Sequence, residues 1–249
     1  MSGEIGNDPR NMAYVTLLST NDYLDAVLVL NKSLQRVNSK YPLLVMVVNT
    51  IFTPEMEAIF RHNNIFYETV EPLSYSTQVI DKYAGNECKT VLNTASKLQL
   101  FTLKNWDKLV YIDADVIVLQ NIDDLFDRLD GSMVKYPDDS SGFSGMFVFR
   151  PRSHDEDEFY PTIMAHHECV DGDLLGKTWF FVRESTAHQI DPAYLVHYNP
   201  GMVPSSAKTV HFCNPIKPWL QPDHENFADG SFCTHLYQKM LAEVHQSLN

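Results

Sequence analysis

In the stretch LVYIDADVIVLQNIDDLF, residues 109–126, Asp113 and Asp115 interrupt an otherwise apolar run. Two carboxylates two positions apart on a regular strand leave the same face and repel each other at close range. A hard divalent cation with oxygen ligands resolves that conflict and leaves coordination positions for a substrate's phosphates. The spacing alone also suits a solvated pair capping the turn after a strand, because so short a motif recurs by chance. A second group, VHFCNPIKPW (210–219), favours the cation: His211 closes an apolar run, and Lys217 follows in a loop stiffened by Pro215 and Pro218. A neutral imidazole joins two carboxylates more comfortably on Mn2+ than on Mg2+, and an ammonium meets a phosphate as a point charge. Taken alone, His211 equally fits a satisfied histidine at a strand end.

The elements that must position these groups alternate. AYVTLLS (13–19) reads as a strand, with Asn21 and Asp22 as cap candidates for the helical pattern of residues 23–37. PLLVMVVN (42–49) reads as a strand buried on both faces, followed by a helix with Thr53 as N-cap and Pro54 at its first position. NIFYETV (64–70) is a third apolar piece; residues 94–106 have helical periodicity, and DKLVYIDAD (107–115) is the next strand. Such alternation predicts a parallel sheet with helices on both faces and ligands beyond the carboxyl ends of the strands. Asp113 and Asp115 then end a central strand. Further on, residues 142–151 read as a strand, 155–181 as two helices, and 206–220 as a strand running into a loop. Residues 72–90 are the candidate for a long surface loop. A chain of 249 residues is expected to form one domain, a nucleotide-binding half at about 13–115 and a second half at about 116–249.

A formal net charge of −13 argues against nucleic acid and anionic membranes as partners, since both need clustered Lys and Arg. Any anionic substrate needs a local positive charge or a metal. The first fifteen residues lack a basic segment followed by an apolar one, and no run has the length of a membrane span, so the chain reads as soluble and cytoplasmic. Cys88, Cys169, Cys213 and Cys233 lack C-x-x-C spacing and are expected to be free thiols. A homodimer is compatible with this reading.

The chain resembles glycosyltransferase family 8, the glycogenin and galactinol synthase group. The resemblance runs from about residue 13 to 219 through four motifs in order: AYVTLLSTNDY, RVNSKYPLLVMVV (the galactinol synthase version of the second strand), KLVYIDADVIVLQNIDDLF and VHFCNPIKPW. It implies an α/β, single-domain GT-A fold, Rossmann-like, with a mainly parallel central sheet. It also implies a retaining hexosyltransferase using a UDP-sugar donor, UDP-glucose or UDP-galactose, and Mn2+ or Mg2+. By resemblance Asp113, Asp115 and His211 hold the metal and Lys217 contacts the diphosphate. Lys97, sixteen residues before Asp113, reaches the donor's phosphate and sugar; otherwise a lone helical lysine is a solvated one. Leu17, Ser19, Thr20, Asn21 and Tyr23 hold uracil and ribose, with Tyr23 as the stacking aromatic, and Ala114 lies beside the donor with Asp115. The acceptor is a polyol such as inositol, or a glycan.

Two departures stand out. GFSGMFV (142–148) puts Phe143 where the family has an asparagine that contacts the donor sugar, and DGDLLG (171–176) keeps Asp171 but has Gly172 in place of a glutamine. Asp171 remains a candidate for orienting the acceptor or the sugar hydroxyls, and Asp173 either takes part of the glutamine's role or is a solvated helix residue. The neighbouring His166, His167 and Glu168 do not face one way on a helix and make a poor zinc set. The resemblance implies front-face transfer, in which the leaving phosphate oxygen takes the acceptor's proton, with 72–90 and 211–219 as lid candidates. Two other readings are a degenerate donor-binding protein, suggested by Phe143 and Gly172, and a dinucleotide-dependent oxidoreductase. The second is weakened by LLSTNDY standing where a G-x-G-x-x-G would follow the first strand.

Overall fold

Seven buried residues make β1, Met12–Leu18, and α1 follows over Leu24–Arg36. A computed structural model describes residues 11–74, 89–134, 143–152, 189–223 and 232–248, without the side chains of 89–94 and 143–144. The expected cap at Asn21 or Asp22 is not made. Asn21–Tyr23 instead wind a short 3-10 turn, and Tyr23 enters α1 with no side-chain cap. Six apolar residues buried on both faces make β2, Leu43–Val48. Thr53 then caps α2, Pro54–His62, as read from the sequence: its hydroxyl accepts from the Met56 amide at 3.2 Å, and Pro54 stands at the first position. Next come β3, Phe66–Val70, and a 3-10 stretch, Lys89–Thr102, wound more tightly than the α-helix the periodicity suggested. The chain continues through β4, Lys108–Ile112, and β5, Val116–Val118. Then follow β6, Met133–Val134, β7, Phe143–Phe149, β8, Gln189–Ile190, β9, Val196–His197, and β10, Thr209–His211. The last element is α3, Phe232–Leu248. Most of the loop expected over 72–90 and both helices expected within 155–181 lie outside the described residues.

The main sheet has the order β3-β2-β1-β4-β7-β6-β8. Strands β1 to β4 pair in parallel, β7 runs antiparallel to both β4 and β6, and β6 pairs in parallel with β8. The fold is therefore α/β with a mainly parallel sheet, and β4 is its central strand. Alternation divides the strands between two cores. Tyr14, Val45, Val110 and Ile112 pack with Leu28, Leu34 and Phe60 of α1 and α2, while Val15, Met46, Leu109 and Tyr111 pack with Leu98, Phe101 and Trp106 on the other face. A second sheet, β5-β10-β9, packs Ile117, Val210 and Phe212 against Ala26 and Val29 of α1 and Tyr237 and Met240 of α3.

One carboxylate ties the start of β1 to the segment after β5. Asp123 accepts from Tyr14 Oη at 2.9 Å, Ser39 Oγ at 2.8 Å, the Lys40 amide at 2.9 Å and Asn121 Nδ2 at 3.1 Å. Burial first, then the Asp123 charge, raises the Tyr14 phenol far above its ordinary value, so it stays a neutral donor. Asp123→Ala takes from that buried hydroxyl its carboxylate acceptor and from Ser39, Lys40 and Asn121 theirs. It is expected to lower unfolding stability by about 3 kcal/mol, read by urea denaturation, since an unsatisfied buried donor costs its desolvation on top of the lost bonds.

Candidate functional site

The turn between β4 and β5 carries the two aspartates. They do not share a strand face, as their spacing suggested, because the strand ends at Ile112 and the chain turns through residues 113–115. Backbone pairing places them instead: the Asp113 amide donates to the Gly145 carbonyl of β7 at 3.0 Å, and the Phe212 amide donates to the Asp115 carbonyl at 2.9 Å. Antiparallel pairing of β5 and β10 sets His211 opposite Val116, one residue beyond Asp115. The imidazole Nε2 then lies 3.0 Å from Asp115 Oδ1 and 3.8 Å from Asp113 Oδ2.

Each carboxylate is paired with one of the chain's own lysines. Lys217 Nζ donates to Asp115 Oδ2 and to the Phe212 carbonyl, each at 2.7 Å. Lys97 Nζ lies 3.0 Å from Asp113 Oδ1 and 4.8 Å from the Tyr111 ring centroid. At 1% exposure Lys97 is no solvated surface lysine. Burial alone raises the Asp115 carboxyl, but the charges of His211 and Lys217 and the hydrogen bonds they make hold it well below the usual carboxylate range. Burial likewise pulls the Lys217 ammonium down, and Asp115 and Tyr23 more than reverse it, leaving it above the ordinary lysine value.

One ligand atom from each of Asp113, Asp115 and His211 lies within 4.8 Å of the other two. Two carboxylates and an imidazole are a donor set for a hard to borderline divalent ion, so the residues fit a metal of the Mn2+ or Mg2+ kind. Of the other candidates, Tyr23 is beside the trio: its ring lies 5.8 Å from Lys217 Nζ and meets Trp219 edge to face, with centroids 5.1 Å apart. Leu17 lies in β1, the parallel neighbour of β4, Ser19, Thr20 and Asn21 follow that strand, and Ala114 is buried between the two aspartates. Asp171, with Gly172, Asp173 and the 166–168 group, lies outside the described residues. The backbone of Phe143 pairs in β7 with Val134.

Sequence reasoning passed over Tyr111, whose hydroxyl donates to Asp113 Oδ1 at 2.8 Å. The signal was present: Tyr111 is two residues before Asp113 and faces the core that holds the 3-10 stretch bearing Lys97. Partners that orient ligands tune metal affinity. Tyr111→Phe is expected to weaken Mn2+ binding about tenfold with unfolding almost unchanged, read by calorimetric titration alongside thermal melts. His197 and Cys213, which also gather at His211, were passed over too.

Known proteins share this arrangement of elements. The galactosyltransferase LgtC, solved with donor and acceptor sugar analogues, superposes with a TM-score of 0.65 at 13% identity, covering 92% of this chain and 95% of that one. The glycosyltransferase GlyE of Streptococcus pneumoniae superposes at 0.64 and 13% identity, over 97% of this chain and 63% of that one. These neighbours show the GT-A fold. In sequence, galactinol synthase 1 of Solanum lycopersicum is 30% identical over 91% of this chain and 80% of its own length. Human glycogenin-2 is 30% identical over 88% of this chain, which spans only 45% of that protein. The sequence model of glycosyl transferase family 8 matches residues 14–165. The motifs, the fold, this match over more than half of the chain and the galactinol synthase relative lead to one conclusion: the chain belongs to glycosyltransferase family 8.

Proposed function

We propose that this chain is a retaining hexosyltransferase that uses Mn2+, or Mg2+ in its place, to move the sugar of UDP-glucose or UDP-galactose to a hydroxyl acceptor. The observation that carries the reading is the convergence of Asp113, Asp115 and His211, flanked by Lys97 and Lys217, at the carboxyl end of the central strand. That is where open parallel sheets bind their ligands. A bound divalent ion supplies Lewis-acid stabilisation of the leaving diphosphate. Lys217 exchanges Asp115 for a diphosphate oxygen, and Lys97 reaches the phosphate and donor sugar while keeping Asp113 paired. Both ammonium groups stabilise charge on the departing diphosphate. Its leaving oxygen takes the proton of the acceptor hydroxyl, and the new glycosidic bond forms on the face the diphosphate left, which retains the anomeric configuration.

Leu17, Ser19, Thr20 and Asn21 hold uracil and ribose, with Tyr23 stacking on the base and braced by Trp219, and Ala114 and Asp115 line the donor. Asp171 orients the acceptor or the sugar hydroxyls. The galactinol synthase relatives support a polyol acceptor such as inositol, with a glycan as the other choice. Among the described residues no helix is long and apolar enough to cross a membrane, and Cys213 is a free thiol, as a reducing compartment such as the cytoplasm maintains. Phe143 and Gly172, in place of the family's asparagine and glutamine, favour a second reading, a donor-binding protein that holds UDP with the metal and turns nothing over.

Release of UDP from a panel of UDP-sugars, in Mn2+ or in EDTA and with inositol or glycans added, tests the proposal. Turnover of one sugar that stops in EDTA and speeds up with one acceptor is the expected result. Metal-dependent UDP binding with no release from any sugar replaces this reading with the donor-binding one.

A further inference from the structure

His211 meets a second set of donors besides the aspartates. Strands β9 and β10 pair in parallel with His211 in register with His197, so both side chains leave the same face of the small sheet. Cys213 is two residues beyond His211, in the segment that leaves β10. One ligand atom from each of His197, His211 and Cys213 lies within 4.8 Å of the others, and the two imidazole centroids are 5.6 Å apart. The frame beneath is held: the Tyr198 amide donates to the His211 carbonyl at 2.8 Å, and Phe212 and Val210 are buried in the core on the opposite face. His197 and Cys213 are exposed while His211 is buried, so an ion reaches the trio from solvent with His211 at its floor.

Two imidazoles and a thiolate are the wrong set for Mg2+ and a poor one for Mn2+. They suit borderline and soft ions, whose three-ligand sites keep a further position for water. We propose that His197, His211 and Cys213 form a site for a thiophilic divalent ion of the Zn2+ class, and that filling it withdraws His211 from Asp113 and Asp115. The Cys213 thiol gives its proton to solvent as the ion binds. One imidazole thus serves two donor sets of opposite preference, and the consequence is inhibition by thiophilic ions at concentrations of Mn2+ that otherwise support transfer. That consequence rests on the transferase reading above; the site itself does not.

Co2+ is the probe, because a thiolate ligand gives it a charge-transfer absorption in the near ultraviolet. The band is expected on adding Co2+ to the intact protein, to be lost in Cys213→Ser, to need at least about tenfold more Co2+ in His197→Ala, and to persist in Asp113→Asn. In a transfer assay at saturating Mn2+, Cys213→Ser is expected to shift the inhibitory Zn2+ concentration upward by about tenfold or more, with uninhibited activity retained. Absence of the band, or its survival in Cys213→Ser, overturns the site. Equal Zn2+ sensitivity of Cys213→Ser and the unaltered chain overturns the competition for His211. If the protein turns over no sugar, the spectrum alone decides, so this proposal and the transferase reading fail separately.

Discussion

The Asp115→Asn variant is expected to lose metal-dependent sugar transfer by a factor of about 10² to 10³, the scale on which removal of one preorganised electrostatic partner is felt. It also loses stability with no metal present. Asp115 and Lys217 are both buried and 2.7 Å apart, so removing the carboxylate strands an ammonium with the Phe212 carbonyl and a neutral amide. Breaking a buried pair from one side costs about 3 kcal/mol or more, whereas removing both partners is often neutral. Asp115→Asn combined with Lys217→Met is therefore expected to recover much of the stability and none of the activity. That outcome separates the carboxylate's chemical role from its structural one. The pH dependence follows from the shifts. The depressed Asp115 contributes its stability above the unfolded carboxylate value of about 3.9 and loses it as pH falls through the lower folded value. The raised Lys217 contributes below the unfolded lysine value of about 10.4 and loses its share as pH rises through the higher folded value. The stability of the unaltered chain relative to the double variant is thus expected to fall in thermal melts as pH drops below about 4 and as it rises above about 10.

Lys217→Met is expected to have opposite effects on the two halves of the donor complex. Lys217 occupies Asp115 while no diphosphate is present. An ion arriving alone must displace it, and a diphosphate arriving alone meets a lysine already engaged. Mn2+ and UDP are therefore expected to bind weakly apart and strongly together. Without Lys217, Mn2+ alone binds more tightly, because Asp115 is released, while UDP binding in the presence of Mn2+ falls about tenfold to a hundredfold, the value of one charge-assisted contact. Calorimetric titrations of each ligand, with and without the other, read both changes. Unchanged Mn2+ affinity in the variant refutes the exchange of partners.

Much of this was legible locally. The runs that became β1, β2 and β4 are apolar and bounded by turn or cap residues, and Thr53 with Pro54 marked the start of α2 in two letters. Side-chain periodicity reports burial of a face, and these elements bury theirs. It does not report helix pitch, which is why the stretch containing Lys97 read as α-helix and is a 3-10 winding. Nor does it report strand direction: β7 runs antiparallel to β4, a pairing decided by the chain between them. The candidate site was legible as a set of residue types and not as a set of contacts. Lys217 and Asp115 are 102 positions apart, and only the pairing of β10 with β5 brings them together. The aspartates were expected on one strand face and meet instead because a turn and two backbone hydrogen bonds hold them. His197 carried no motif of its own, and strand register reveals it, whereas Tyr111 stood inside a quoted motif and its hydrogen bond to Asp113 reveals its role.

In the proposed reaction Asp113, Asp115 and His211 together hold the ion that receives the diphosphate. Electron paramagnetic resonance of aqueous Mn2+ tests it most directly, because the free-ion signal falls when Mn2+ is bound. With the unaltered chain and UDP the signal is expected to drop, and with Asp113→Asn or His211→Ala, folded and in the presence of UDP, to stay close to that of free Mn2+. An equal drop with those variants would place the ion elsewhere and contradict the account.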